Sequence, residues 1–171
     1  MEKQKLNLRR AEISDADNLT QLFIGNLKQQ PGYISHGEMQ MGVGTIDGKV
    51  TSDASELWKK YIVKKMENEE ESNVFVYEDG GKIIGFTVVE INDDGNDSFG
   101  VICDLYILPE NRTKGLGSTL FDKGISWLKD KGMTEFYLES GKSNHEAHNF
   151  FEKRGFTKVS HIYYNNFANE K

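Results

Sequence analysis

One cysteine, two prolines, a deficit of positive charge and no long apolar run mark this sequence. Each absence removes a class of protein. Cys103 has no second cysteine to pair with, so an internal disulfide and any cysteine-rich metal site are excluded. It reads instead as a small core residue on a strand. No run approaches the ~20 apolar residues of a membrane span. The charged, polar residues 1–10 do not have the pattern of a signal peptide. A cytoplasmic protein with no membrane partner is therefore expected. The net charge of −6 argues against nucleic acid as the main partner, although it says nothing about a local site. No metal site is expected either. His145 and His148 are three residues apart where a helix-borne zinc pair needs a spacing of four, and both read as solvated.

What is present is ordinary in bulk. With 37% hydrophobic and 28% charged residues over 171 positions, the chain suits one domain, 1–171. There are no repeats and no linker. Leu6 and Leu8 alternate with polar residues in a first strand over 5–10. Ser14 reads as the cap of a helix whose apolar face is Leu19, Leu22, Phe23 and Leu27. Pro31-Gly32 ends that helix. Residues 33–52 are glycine-rich and irregular, the kind of long loop that is functional or mobile. His36 and Glu38 within it read as solvated. Asp53 can cap a helix through Leu57, Trp58, Ile62 and Met66. Three strands follow at 73–78, 82–91 and 99–108. Asp79-Gly80-Gly81 forms their first turn, and Gly85 marks a bulge or a close approach. A helix over 115–131 is closed by Gly132. A strand over 134–140, a helix over 144–154 closed by Gly155, and a last strand or strand pair over 156–167 complete the order β-α-α-β-β-β-α-β-α-β.

The most informative stretch is residues 105–120. An apolar strand ends at Pro109, a polar turn carries Gly115 and Gly117, and Leu116, Leu120, Phe121, Ile125 and Leu128 then recur at helical spacing. Exposed N–H groups at a helix N-terminus favour an anion, and Arg112 and Lys114 add positive charge. The stretch is neither a P-loop nor a dinucleotide fingerprint, because the spacings differ from both. On these residues alone, an anion cradle and an ordinary strand–helix turn remain open.

Arg112-x-x-Gly115-x-Gly117 resembles the coenzyme A pyrophosphate loop of the GNAT superfamily of N-acetyltransferases. Asn144-His-Glu-Ala147-His-Asn-Phe150-Phe151-Glu-Lys-Arg-Gly155-Phe156 resembles that family's second motif, and Leu6-x-Leu8-Arg9-x-Ala11-x-x-x-Asp15 its first strand and helix start. The resemblance implies an α+β fold: a central, mostly antiparallel twisted sheet of six or seven strands flanked by about four helices. It implies acetyl-CoA as co-substrate, no metal, and direct attack by a primary amine on the thioester. Ile107, Leu108, Arg112, Thr113, Lys114, Gly115, Leu116, Gly117 and Ser118 would hold the cofactor. Asn144 would bond its pantetheine arm, and Phe151 would lie beside it. The arm would enter between the fourth and fifth strands.

For the chemistry, Glu139 and Asp104 compete as base. Glu139 stands five residues before the motif Asn, as in the branch that acetylates N-termini of ribosomal proteins. The family's usual acid is a tyrosine, and here that position is Phe151. Tyr106, Tyr163 or Tyr164 would stand in, or the thiolate would leave unaided. Residues 31–72, where the family places acceptor specificity, match nothing usable. The acceptor, a small amine or a peptide, stays open, as does a homodimer. A non-catalytic acyl-CoA-binding module on the same fold is the alternative.

Overall fold

The computed structural model describes residues 6–169. Five strands form one sheet in the order β1-β2-β3-β4-β5. They are β1 (Leu6–Arg10), β2 (Ser72–Asp79), β3 (Lys82–Asp93), β4 (Ser98–Ile107) and β5 (Phe136–Leu138). β1 to β4 pair antiparallel, and β5 joins β4 in parallel. The helices are α1 (Ala16–Gln29), α2 (His36–Met41), α3 (Ala54–Glu67), α4 (Leu116–Asp130) and α5 (His145–Glu152).

Alternation along the strands divides the core in two. Val74, Val76, Phe86 and Val88 face α1 and α3. There Trp58 is fully buried, stacked on Phe23 at 4.5 Å and edge-on to Phe86 at 5.8 Å. Phe75, Val89 and Ile102 face the other way, onto Leu120, Phe121 and Leu128 of α4. Phe150, Phe151 and Phe156 pack around Phe121 and attach α5 to this second layer. Truncating a buried aromatic in either layer costs roughly 3–5 kcal/mol.

Local chemistry sets the element ends. Gly80 and Gly81 both have positive φ, as a two-residue hairpin turn of this type requires. α4 closes with bonds from the N–H of Gly132 to Lys129 and of Met133 to Leu128, so a left-handed Gly132 satisfies its last carbonyls. Gly85 allows close approach, since a Cβ there would lie 2.8 Å from the Tyr106 carbonyl oxygen.

Several expectations are revised. Ser14 is not the α1 cap: it lies inside a 3-10 turn, Ile13–Asp15, closed by a reciprocal Glu12–Asp15 box, and Arg9 grips Asp15 at 2.8 Å. Residues 33–52 are not all loop. They contain α2, built on a Ser35/Glu38 capping box, and a bridge from Gly44 to Val50. The strand expected at 134–140 shrinks to three residues. The last expected strand is absent among the described residues: 157–166 is irregular and exposed, so the sheet has five strands. Its β-branched and aromatic residues suit a strand, but a strand needs a paired edge, and none takes it. No helix among the described residues is long and apolar enough to cross a membrane.

Candidate active site

β4 and β5 pair only at Gly100–Phe136, Val101–Tyr137 and Ile102–Leu138. Just beyond, β4 bulges. Val88 faces Asp104 and Val89 faces Ile102, which leaves Cys103 as the extra residue. A cavity of about 380 Å3 opens here, between the rest of β4 and the segment that follows β5.

One end of the cavity is the start of α4, lined by Thr113, Gly115, Gly117 and Ser118. Gly115 is the left-handed N-cap, and Thr113 before it is held at φ 69, a conformation costly for a β-branched residue. Gly117 is not required by protein packing: a Cβ there would meet Ile107 and Phe150 at ordinary distances of 3.7 and 3.8 Å. The Arg112 Nε donates to the Ile107 carbonyl at 2.9 Å, and its Nη1 lies 3.7 Å from Glu146. A second guanidinium, unmarked in the sequence reading, stands close by. Arg154 donates to the Ser118 hydroxyl and lies 3.5 Å over the Phe150 ring. Its place just before Gly155-Phe156 in the second motif was the available signal.

The other end is lined by Phe23, Asn26 and Leu27 of α1, Tyr33, Ser35, and Glu38 of α2, facing Cys103 and Asp104. The resemblance pointed to 31–72 for the acceptor but marked no single residue of this wall, although Ser35-x-x-Glu38 is a capping-box pattern that could have flagged α2. The chain from Gly32 to the start of α2 straps onto the segment that follows β5. The Gly37 N–H donates to Glu139 Oε1 at 2.7 Å, and His36 Nδ1 lies 3.6 Å from Glu139 Oε2. His36 and Glu38 are therefore not simply solvated. Nor is His148, whose Nε2 lies 3.0 Å from the Gly141 carbonyl.

Asp104 is the most perturbed carboxyl of the site. Tyr61 donates to its Oδ2 at 2.8 Å. Burial nevertheless pushes it up to about 7, with Glu38 adding to the rise and the Tyr61 bond and Lys65 opposing it. Burial first, then Asp104, pushes the Cys103 thiol up to about 12, so it stays protonated and packs against the core as a small apolar residue. Burial also raises the Tyr106 phenol, with Arg112 pulling the other way.

Of the residues singled out from sequence, Asp104, Tyr106, Ile107, Arg112, Thr113, Gly115, Gly117, Ser118, Glu139, Asn144 and Phe151 share the cavity. Leu108 and Leu116 pack into the core instead, and Lys114 is exposed. Tyr163 and Tyr164 lie exposed on the irregular C-terminal segment, away from the cavity lining. Asn144 caps α5 by accepting the Ala147 N–H at 3.2 Å.

A mixed sheet that parts beside a helix N-terminus, with carboxyl groups across the gap, is the architecture of an acetyltransferase. The chain belongs to the acetyltransferase (GNAT) family, whose model matches residues 46–156. Over 115 residues it is 27% identical to N-alpha-acetyltransferase 30 of Schizosaccharomyces pombe, covering 67% of this chain and 77% of the relative. Over 107 residues it is 26% identical to mycothiol acetyltransferase of Thermobispora bispora, covering 59% of this chain but only 36% of that enzyme. In fold it is similar to a predicted acetyltransferase from Clostridium acetobutylicum solved with acetyl-CoA, with a TM-score of 0.69 at 18% identity, covering 97% of this chain and 99% of that one.

Proposed function

We propose that the chain moves the acetyl group of acetyl-CoA to a primary amine by direct attack in a ternary complex. The observation that carries this is one cavity joining the α4 N-terminus to the Asp104 carboxyl group. The unpaired first-turn N–H groups of α4 suit a pyrophosphate, with Arg112 and Arg154 adding charge. Gly117, which packing would let carry a side chain, leaves room for a phosphate instead. The pantetheine arm would run where β4 and β5 part, its amides bonding the free edge of β4 as an added strand would. Asn144 and Phe151 line that route.

In the reaction the amine nitrogen bonds to the acetyl carbon, the C–S bond breaks and its electron pair leaves on sulfur. The ammonium must first lose a proton. Asp104, lifted to about 7, is matched to accept it near neutral pH. Glu139, the competing base, is more exposed and already accepts the Gly37 N–H. The bulge at Cys103 frees backbone N–H groups of β4 for the oxygen on which charge develops. Tyr106 lines the same cavity and keeps its proton, so it is the candidate donor to the departing sulfur. Phe151 has no proton to give, and this favours the second reading, a non-catalytic acyl-CoA-binding module.

Calorimetry with acetyl-CoA, paired with release of free thiol over a panel of amines, tests the proposal. We expect binding, thiol release, and a loss of about 10²-fold or more in kcat for Asp104→Asn. Gly117→Glu should abolish binding, because it puts a carboxylate into the anion cradle. Binding without release from any amine supports the second reading, and absence of binding refutes both.

A further inference from the structure

Resting on that acetyltransferase reading, we propose that the acceptor is an aliphatic diamine or polyamine. It would be a slim chain that carries a second positive charge beyond the nitrogen acetylated, and no carboxylate. The charges of the acceptor end point there. Three carboxyl groups line it: Glu38, Asp104 and Glu139. Among the described residues lining the cavity, Arg112 is the one Lys or Arg; it lies at the α4 end, and Glu146 already answers its charge. His36, just outside the lining, sits against Glu139. Lys65, whose charge is also felt at Asp104, is paired with Glu90. An acceptor bearing a carboxylate would meet three acidic groups and no free cation. An ammonium group would relieve the repulsion that Glu38 already exerts on Asp104.

Glu38 has capacity to spare. Glu38 takes the Ser35 N–H and hydroxyl on Oε2, which leaves Oε1 without a protein partner among the described residues. The walls between the charges are Phe23, Leu27 and Tyr33, apolar surfaces suited to methylene groups. Shape argues for a slim chain over a peptide. The backbone of Gly32 and Tyr33 lies so close to Gly141 that even a Cβ there would come within 2.7–2.8 Å of it. The strap and the segment that follows β5 are thus in main-chain contact, and no second backbone fits between them. One amine gives up its proton beside Asp104 and is acetylated, with one proton released and free coenzyme A thiol formed. The remote ammonium keeps its charge against Glu38 and Glu139.

The test compares three acceptors of matched length on the full chain, 1,4-diaminobutane, n-butylamine and 4-aminobutanoate, together with a short peptide with a free N-terminus. Thiol release is the readout, and acetyl-CoA affinity is measured in parallel. We expect kcat/KM for the diamine to exceed that for butylamine by about tenfold, the worth of one charge-assisted contact, with 4-aminobutanoate poorer still. Glu38→Gln keeps the capping box, which accepts either residue. It should collapse the diamine's advantage through KM and leave acetyl-CoA affinity unchanged. Equal or better turnover of 4-aminobutanoate or the peptide overturns the proposal, as does an undiminished diamine advantage in Glu38→Gln. Acetyl-CoA binding with no turnover of any acceptor overturns it too and leaves the cofactor half standing, whereas loss of acetyl-CoA binding overturns the acetyltransferase reading beneath it.

Discussion

Asp104 shows how one residue inherits its chemistry from its position. The β4 bulge turns its side chain toward α3, where the Tyr61 hydroxyl meets it at 2.8 Å, while its carbonyl accepts the Thr87 hydroxyl at 2.8 Å. The groups facing it are Tyr61, the Cys103 thiol, Glu38 and Lys65. Burial outweighs the favourable contacts and raises it to about 7, above the unfolded value of about 3.9. The sign of the linkage follows. Between these values the folded state binds the proton more tightly, so stability is greatest below about pH 4 as far as Asp104 is concerned and is lost as pH rises to about 7. Asp104→Asn removes that loss. Denaturant midpoints at about pH 5 and about pH 8 should show the variant gaining on the parent at the higher pH. An unchanged difference between the two would mean that Asp104 is ionised and well compensated in the fold.

At the scale of elements, the cleft depends on a strap and a short strand. Gly141 is buried, and its role is steric: an added Cβ would strike the Gly32 carbonyl oxygen at 2.7 Å, and backbone cannot swing aside as a side chain can. Gly141→Ala should therefore lift the strap, cost about 1–3 kcal/mol, and raise the acceptor KM while acetyl-CoA affinity holds. Denaturation and steady-state kinetics would check the two halves separately. The same elements show what sequence can carry. α4 was legible to within a residue because Leu116, Leu120 and Leu128 repeat at 3.6 and Gly132 closes the turn. The α4 end of the cavity was legible because Arg112, Thr113, Gly115, Gly117 and Ser118 lie within seven consecutive positions. The opposite wall was not, because Phe23, Glu38 and Glu139 meet only through tertiary packing. The segment after Phe156 misled for a related reason: Val159, Ile162, Tyr163 and Tyr164 are β-branched or aromatic, but such residues do not supply an edge to pair with.

The whole molecule is two packed layers on a sheet that opens on one side. β1 to β4 form a continuous antiparallel ladder, whereas β5 is tied to β4 by three residue pairs. α5 is held mainly by the phenylalanines around Phe121. A ligand lying in the gap would touch β4 on one side and the α4–α5 layer on the other, so its binding energy would also be cohesion between them. At about 100 times its dissociation constant, acetyl-CoA should add roughly 2.7 kcal/mol of stability. For a chain of this length that raises the melting temperature by roughly 5–10 °C. The location matters as much as the size. Amide hydrogen exchange should slow most in β5 and α5, whose opening now requires loss of the ligand, and least in β1 to β3, whose protection already reflects global unfolding. A thermal shift with uniform protection would mean that the ligand sits on one layer and does not bridge the two.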